Sequence, residues 1–182
     1  MEMQSQQLIP ASRETVWRAL NDTGVLEASM PGCERFEETG ENEYLALVTA
    51  RVGPVKAKFK FNVQLTEIDP PNGYVIQGEG QGGAAGFAKG SARVSLSDEG
   101  EQTLLSYTVK ASVGGKLAQL GGRLIDGTAK KMADEFFSNF IAEVAGDEAE
   151  KPAPASSGGE EAGRRTIPWI WLAGGLVLIA AF

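Results

Sequence analysis

The sequence predicts an α+β domain in which an antiparallel sheet is covered by one long helix. Three observations carry that reading. Residues 55–66, VKAKFKFNVQLT, set Val55, Ala57, Phe59, Phe61, Val63 and Leu65 against Lys56, Lys58, Lys60, Asn62, Gln64 and Thr66. A period of two over that length belongs to a strand with one wet face. Turn-forming groups at Gly53-Pro54, Pro70-Pro71-Asn72-Gly73 and Asp98-Glu99-Gly100 separate further strand-like runs at 43–52, 74–78, 91–97 and 103–113. Residues 116–145 place Leu117, Leu120, Leu124, Thr128, Met132, Phe136, Phe140 and Val144 at three- and four-residue spacing, the pattern of one amphipathic helix. Successive strands followed by a helix, without βαβ alternation, imply a helix lying across one face of the sheet.

The elements before the sheet follow from local signals. Residues 3–9 read as a short strand ended by Pro10. Ser12 is a suitable N-cap for a helix over 13–20, RETVWRAL, with Val16, Ala19 and Leu20 on one face. Asn21, Asp22 and Gly24 break it, and a second short helix fits 24–29 before Pro31-Gly32. The expected order is thus β-α-α, six strands and a long helix, about seven strands in all. On the long helix, Asp126–Lys130, Lys130–Asp134 and Lys131–Glu135 are i,i+4 pairs, and Gly146 is placed as the residue after its end. Gly121-Gly122 inside a helix costs about 1 kcal/mol per glycine relative to Ala, which points to a packing or ligand-clearance reason.

Composition divides the chain into three. Residues 1–146 carry a net charge of −5 and form the domain. Residues 147–163, DEAEKPAPASSGGEEAG, carry −4 and hold nothing apolar larger than Ala, as expected of a flexible linker. Residues 164–182 open with Arg164-Arg165-Thr166 and continue IPWIWLAGGLVLIAAF without a charge. As a helix, the 16 apolar residues reach roughly 24 Å against a hydrocarbon core of roughly 30 Å. Arg164 and Arg165 as flanking cations, with Trp169 and Trp171 at interfacial positions, favour membrane insertion, and local thinning absorbs the mismatch. The N-terminal MEMQSQQLIP has no basic n-region and no apolar h-region, so the domain is expected on the cytoplasmic face of a membrane.

The chain has no His and a single Cys, Cys33. Ser-His-Asp and Cys-His nucleophile systems, His-ligated metals, Cys clusters and imidazole acid–base chemistry are therefore excluded. The net charge of −7 argues against nucleic acid as a partner. Cys33 reads as a small buried residue rather than an activated thiol. The segment 78–90, GEGQGGAAGFAKG, contains G-x-G-x-x-G at Gly78, Gly80 and Gly83. A dinucleotide fingerprint needs a helix opening at the third glycine, and Gly86 and Gly90 make 84–90 a poor helix. Two readings remain: a bent strand pair with small side chains, or small side chains leaving room at a cavity mouth. Lys56, Lys58 and Lys60 read as a solvated face, with contact to anionic lipid or an acidic partner as the alternative.

The element order resembles the START-like helix-grip architecture, in which a curved sheet wraps the long helix around an apolar cavity. Ile9-Pro10 to Leu20-Asn21-Asp22, Met30-Pro31-Gly32-Cys33, Val52-Gly53-Pro54-Val55-Lys56, Gly78 to Ser91, and Val113-Gly114-Gly115-Lys116-Leu117-Ala118 to Phe137 resemble the carbon monoxide dehydrogenase CoxG family. That family belongs to the polyketide cyclase and lipid-transport superfamily with the START-like fold. The resemblance covers about residues 3–145 and implies an accessory, non-catalytic protein that recruits a molybdenum-containing carbon monoxide dehydrogenase-type hydroxylase to the cytoplasmic membrane. It supplies no catalytic motif and no metal site.

A cavity beside a membrane suits a hydrophobic ligand, and a quinone serving as the partner enzyme's electron acceptor is the expected one. Tyr74 or Tyr107 would donate to its head group. Phe59, Phe61 and Phe87 would pack its ring and tail, and Leu117, Leu120 and Leu124 would line the cavity from the helix. A ligand-free tether, and a lipid-binding or cyclase-like domain working with carboxylate, Lys or Tyr chemistry, are the alternatives.

Overall fold

The computed structural model describes residues 1–149, with side chains through residue 146. The chain runs β1 (Glu2–Ile9), α1 (Arg13–Ala19), α2 (Thr23–Ser29), β2 (Cys33–Gly40), β3 (Glu43–Val52), β4 (Val55–Asp69), β5 (Gly73–Gln81), β6 (Phe87–Glu99), β7 (Gln102–Gly114) and α3 (Gly122–Ala149). The seven strands form one antiparallel sheet in the order β1-β7-β6-β5-β4-β3-β2. The sheet is curved, with α3 on its inner face, as expected of a helix grip.

Local chemistry sets the elements. The Ser12 hydroxyl accepts from the Thr15 N–H at the start of α1, and Asp22 caps α2 by accepting from the Gly24 and Val25 N–H groups. Val16, Ala19 and Leu20 are buried as the helical spacing requires. In β4 the alternation is realised: Phe59, Phe61, Val63 and Leu65 point inward at 3% exposure or less while Lys60, Asn62 and Gln64 between them stay wet. The first strand after the two short helices is β2, whose bounds no periodicity marks. It is an edge strand of sequence CERFEETG with register shifts at both ends, anchored by Phe36 stacked on Tyr44 at 5.5 Å.

The long helix differs from expectation at both ends. Residues 116–121 are not helical in the α sense: a 3-10 turn covers Ala118–Leu120, and Gly121 sits at φ +87°, where a side chain would be strained. Gly121 and Gly122 therefore mark the start of α3 instead of interrupting it, and the helical cost expected there does not arise. At the far end α3 runs through Gly146 to Ala149. The buried stripe is Ile125, Ala129, Ala133, Phe136, Phe137, Phe140 and Val144. Its first two turns are one residue out of phase with the expected one, so Leu124 faces solvent. Lys130 and Asp134 form the expected i,i+4 pair at 3.2 Å. Asn139 donates to the Ser29 carbonyl at 3.2 Å, which ties α3 to α2.

Candidate ligand site

The inner face of the sheet and α3 enclose an aromatic interior. Phe59 and Phe61 come from β4, Tyr74 from β5, Tyr107 from β7, and Phe136, Phe137 and Phe140 from α3; all seven are buried at 3% exposure or less. Tyr107 stacks on Phe137 at 5.3 Å, Phe136 and Phe140 stack at 5.7 Å, and Phe59 and Phe61 lie 5.9 Å apart. In β5 and just past its end, glycines make room for two of these rings. A Cβ on Gly80 would come within 2.1 Å of the Phe61 ring, and one on Gly82 within 2.2 Å of the Phe59 ring. The space left by the small residues of the Gly-rich segment is thus taken up by aromatic side chains of the neighbouring strand.

Tyr74 is the polar group that stands out in this interior. Its ring lies against Trp17 with centroids 5.4 Å apart, and its hydroxyl has no hydrogen-bond partner among the described protein atoms. Burial pushes its ionisation far above the usual tyrosine range, and the neighbouring Tyr44 phenol adds to the effect. Leaving a buried hydroxyl unpaired costs about 1–3 kcal/mol, so a partner for it has a free-energy gain waiting. Tyr107 is raised by burial too, but its hydroxyl already bonds to Ser5. Of the two tyrosines, only Tyr74 is left needing a partner.

The structure gathers Phe59, Phe61, Tyr74, Tyr107 and Leu117 into the core, with Leu120 half-buried at its margin. It separates Phe87 and Leu124 from them. Ala88 points inward at 0% exposure, so its strand neighbour Phe87 lies on the outer face, 39% exposed, with its ring over Gly114. Leu124 is 40% exposed and rests over Gly53, beside a groove of about 410 Å³ between α3 and β3. A groove of about 950 Å³ crosses the outer sheet face past Asn62, Gln77, Glu79, Lys89 and Lys110. Sequence reasoning missed Trp17 and Tyr44. The parity of Tyr44 with Ala46, Val48 and Ala50 in β3 was the available signal.

Burial pushes the Cys33 thiol up to about 11, with the carboxylates of Glu27 and Glu34 adding to it. At mildly alkaline pH its thiolate fraction is lower than that of an unperturbed cysteine by about 100-fold. A thiolate of higher pKa is intrinsically more nucleophilic, which offsets part of that loss, so Ellman's reagent is expected to label Cys33 in the folded protein about 10-fold slower, and urea unfolding to restore the rate. A free-thiol rate in the native state would contradict the burial. Among the described residues no helix is long and apolar enough to cross a membrane. Arg164, Arg165, Trp169 and Trp171, expected in the anchor, lie outside the described residues, as do residues 150–163 of the linker expected over 147–163; residues 147–149 belong to α3.

A curved seven-stranded antiparallel sheet gripping a C-terminal helix over an aromatic interior defines the START-like class that includes polyketide cyclases. The Zhui aromatase/cyclase from Streptomyces sp. R1128 shares the fold at a TM-score of 0.54 and 17% identity, over 80% of this chain and 93% of its own. A protein from Thermus thermophilus does so at 0.61 and 17%, over 81% and 99%. A conserved protein from Geobacillus kaustophilus is more similar, at a TM-score of 0.77 and 32% identity over 81% of this chain and 97% of its own. No curated protein matches the chain. Residues 6–145 match the family described as the G subunit of carbon monoxide dehydrogenase (CoxG), and the chain belongs to that family.

Proposed function

We propose that the protein is a non-catalytic accessory subunit that holds a molybdenum-containing hydroxylase of the carbon monoxide dehydrogenase type at the cytoplasmic membrane. In this reading it also carries a quinone between bilayer and enzyme. Family membership supports the association with the dehydrogenase. The apolar segment 164–182 supports the membrane side. The observation that carries the ligand reading is the Tyr74 hydroxyl, buried in an aromatic interior without a protein partner. A quinone carbonyl accepts one hydrogen bond and brings an apolar ring and tail, which is the chemistry this interior offers.

Tyr74→Phe is the direct test. Removing an unpaired buried hydroxyl is expected to stabilise the ligand-free domain by about 1 kcal/mol and to weaken quinone binding about 10-fold. Tyr107→Phe should change quinone affinity much less. Thermal unfolding and fluorescence titration with a soluble quinone analogue read both effects. If the purified full chain carries no extractable quinone and binds none on titration, the carrier reading fails. The dense packing of Phe59 and Phe61 then favours a ligand-free tether.

A further inference from the structure

We propose that one end of the domain is itself a membrane-docking surface, binding an anionic phospholipid bilayer independently of the C-terminal segment. Antiparallel topology puts the β3–β4 turn, the β5–β6 turn and the β7–α3 loop at the same end of the sheet. These pieces touch: the Leu117 N–H donates to the Ala85 carbonyl at 3.0 Å, and Leu124 lies over Gly53. In a chain of net charge −7, this end collects Arg51, Lys56, Lys60, Lys89, Lys116 and Arg123. All six are exposed, and among the described residues none forms an ion pair. Lys58, on the same strand, is held by Glu34. The acids at this end are Glu34, which sits close enough to Lys56 to feel its charge, Glu79, Asp126, and Glu135 in the groove with Arg51 and Arg123.

The opposite end carries the other sign. Its turns present Glu41, Glu43, Asp69, Glu99 and Glu101. The domain is therefore strongly polarised along the strands. The basic end also exposes Phe87 and Leu124, two large apolar side chains that have no role in the core. Cations for phosphate headgroups, with apolar side chains at their level, match the chemistry of an anionic bilayer surface. An acidic protein surface would explain the cations but not the apolar pair.

The proposal rests on the reading that the chain works at a bilayer, and its test is separate from the quinone test. Among the described residues every buried core residue lies between Ile9 and Val144, so a chain ending at residue 149 keeps all of the described core. That chain is expected to sediment with phosphatidylglycerol-rich vesicles containing no quinone, to leave phosphatidylcholine vesicles alone, and to be released by high salt. Combining Lys56→Gln, Lys60→Gln, Lys89→Gln and Arg123→Gln should lower the partition coefficient on the order of 100-fold. Circular dichroism checks that the variant is folded. Glu41→Gln with Glu101→Gln, at the other end, should not weaken binding. Absence of binding by the intact 1–149 chain at low salt would overturn the proposal. So would undiminished vesicle binding by the four-site variant, including the case in which that variant instead loses its hold on the partner dehydrogenase. Quinone affinity, measured in solution, is expected to be unchanged in the variant.

Discussion

Replacing Phe61 with Ala is expected to destabilise the domain by about 3–5 kcal/mol, the range for deleting a buried ring. In a domain of this size that lowers Tm by roughly 10 °C or more. Phe61 is wholly buried, stands in the centre of β4 and contacts Phe59. Its register partner across the ladder is Gly80. The converse substitution, Gly80→Ala, puts a methyl into the space the Phe61 ring occupies and should cost about 1–3 kcal/mol. The two changes act on one volume. Combined, they should therefore cost less than their sum, by about 0.5–3 kcal/mol. Denaturant unfolding of the two single variants and the double one measures this. Additive effects would show that the ring does not rest on Gly80.

Deleting residues 164–182 is expected to move the chain from the membrane fraction to the soluble fraction at high salt. Confinement by a tail raises the local concentration of the domain, an effect of about 10²–10⁴-fold in comparable tethered systems. High salt matters, because at low salt the basic end of the domain is expected to retain part of the binding. A carrier keeps its quinone affinity in the soluble form, while a pure tether has none to keep. Retention of the shortened chain in salt-washed membranes would contradict the anchor.

Strictly periodic segments are legible in the sequence, and the rest depends on what interrupts the period. The alternation of β4 survives because each inward residue from Phe59 to Leu65 is large and apolar. The caps Ser12 and Asp22 place α1 and α2 because short polar side chains there bond the first free N–H groups. β2 escapes such reading, since an edge strand rich in Glu needs only Phe36 to anchor it. Leu117 and Leu120 look continuous with α3 in spacing, but a glycine in the left-handed region separates them from it.

The ligand site is unevenly legible for the same reason. Phe59, Phe61, Tyr74 and Tyr107 sit in strands whose phase is clear, and all four are inward. Phe87 follows a turn built from glycine and alanine, which carry no facing signal, so its phase is set only by Ala88 in the folded sheet. The unpaired hydroxyl of Tyr74 depends on neighbours from distant parts of the chain and leaves no mark in local sequence.

The first strand has its partner in the last. Met1 donates from its amino terminus to the Ala111 carbonyl, and β1 pairs residue for residue with β7. During synthesis β1 must therefore wait, unpaired, for most of the domain to be made before its ladder can form. Loop closure over such a separation places folding on the slow side for a domain of this size. A waiting apolar strand would invite pairing between nascent chains. The sequence of β1, EMQSQQLI, is instead mostly Gln, Ser and Glu up to its last two residues. Its hydrophilicity suits a segment that must stay free of other chains before its own sheet exists.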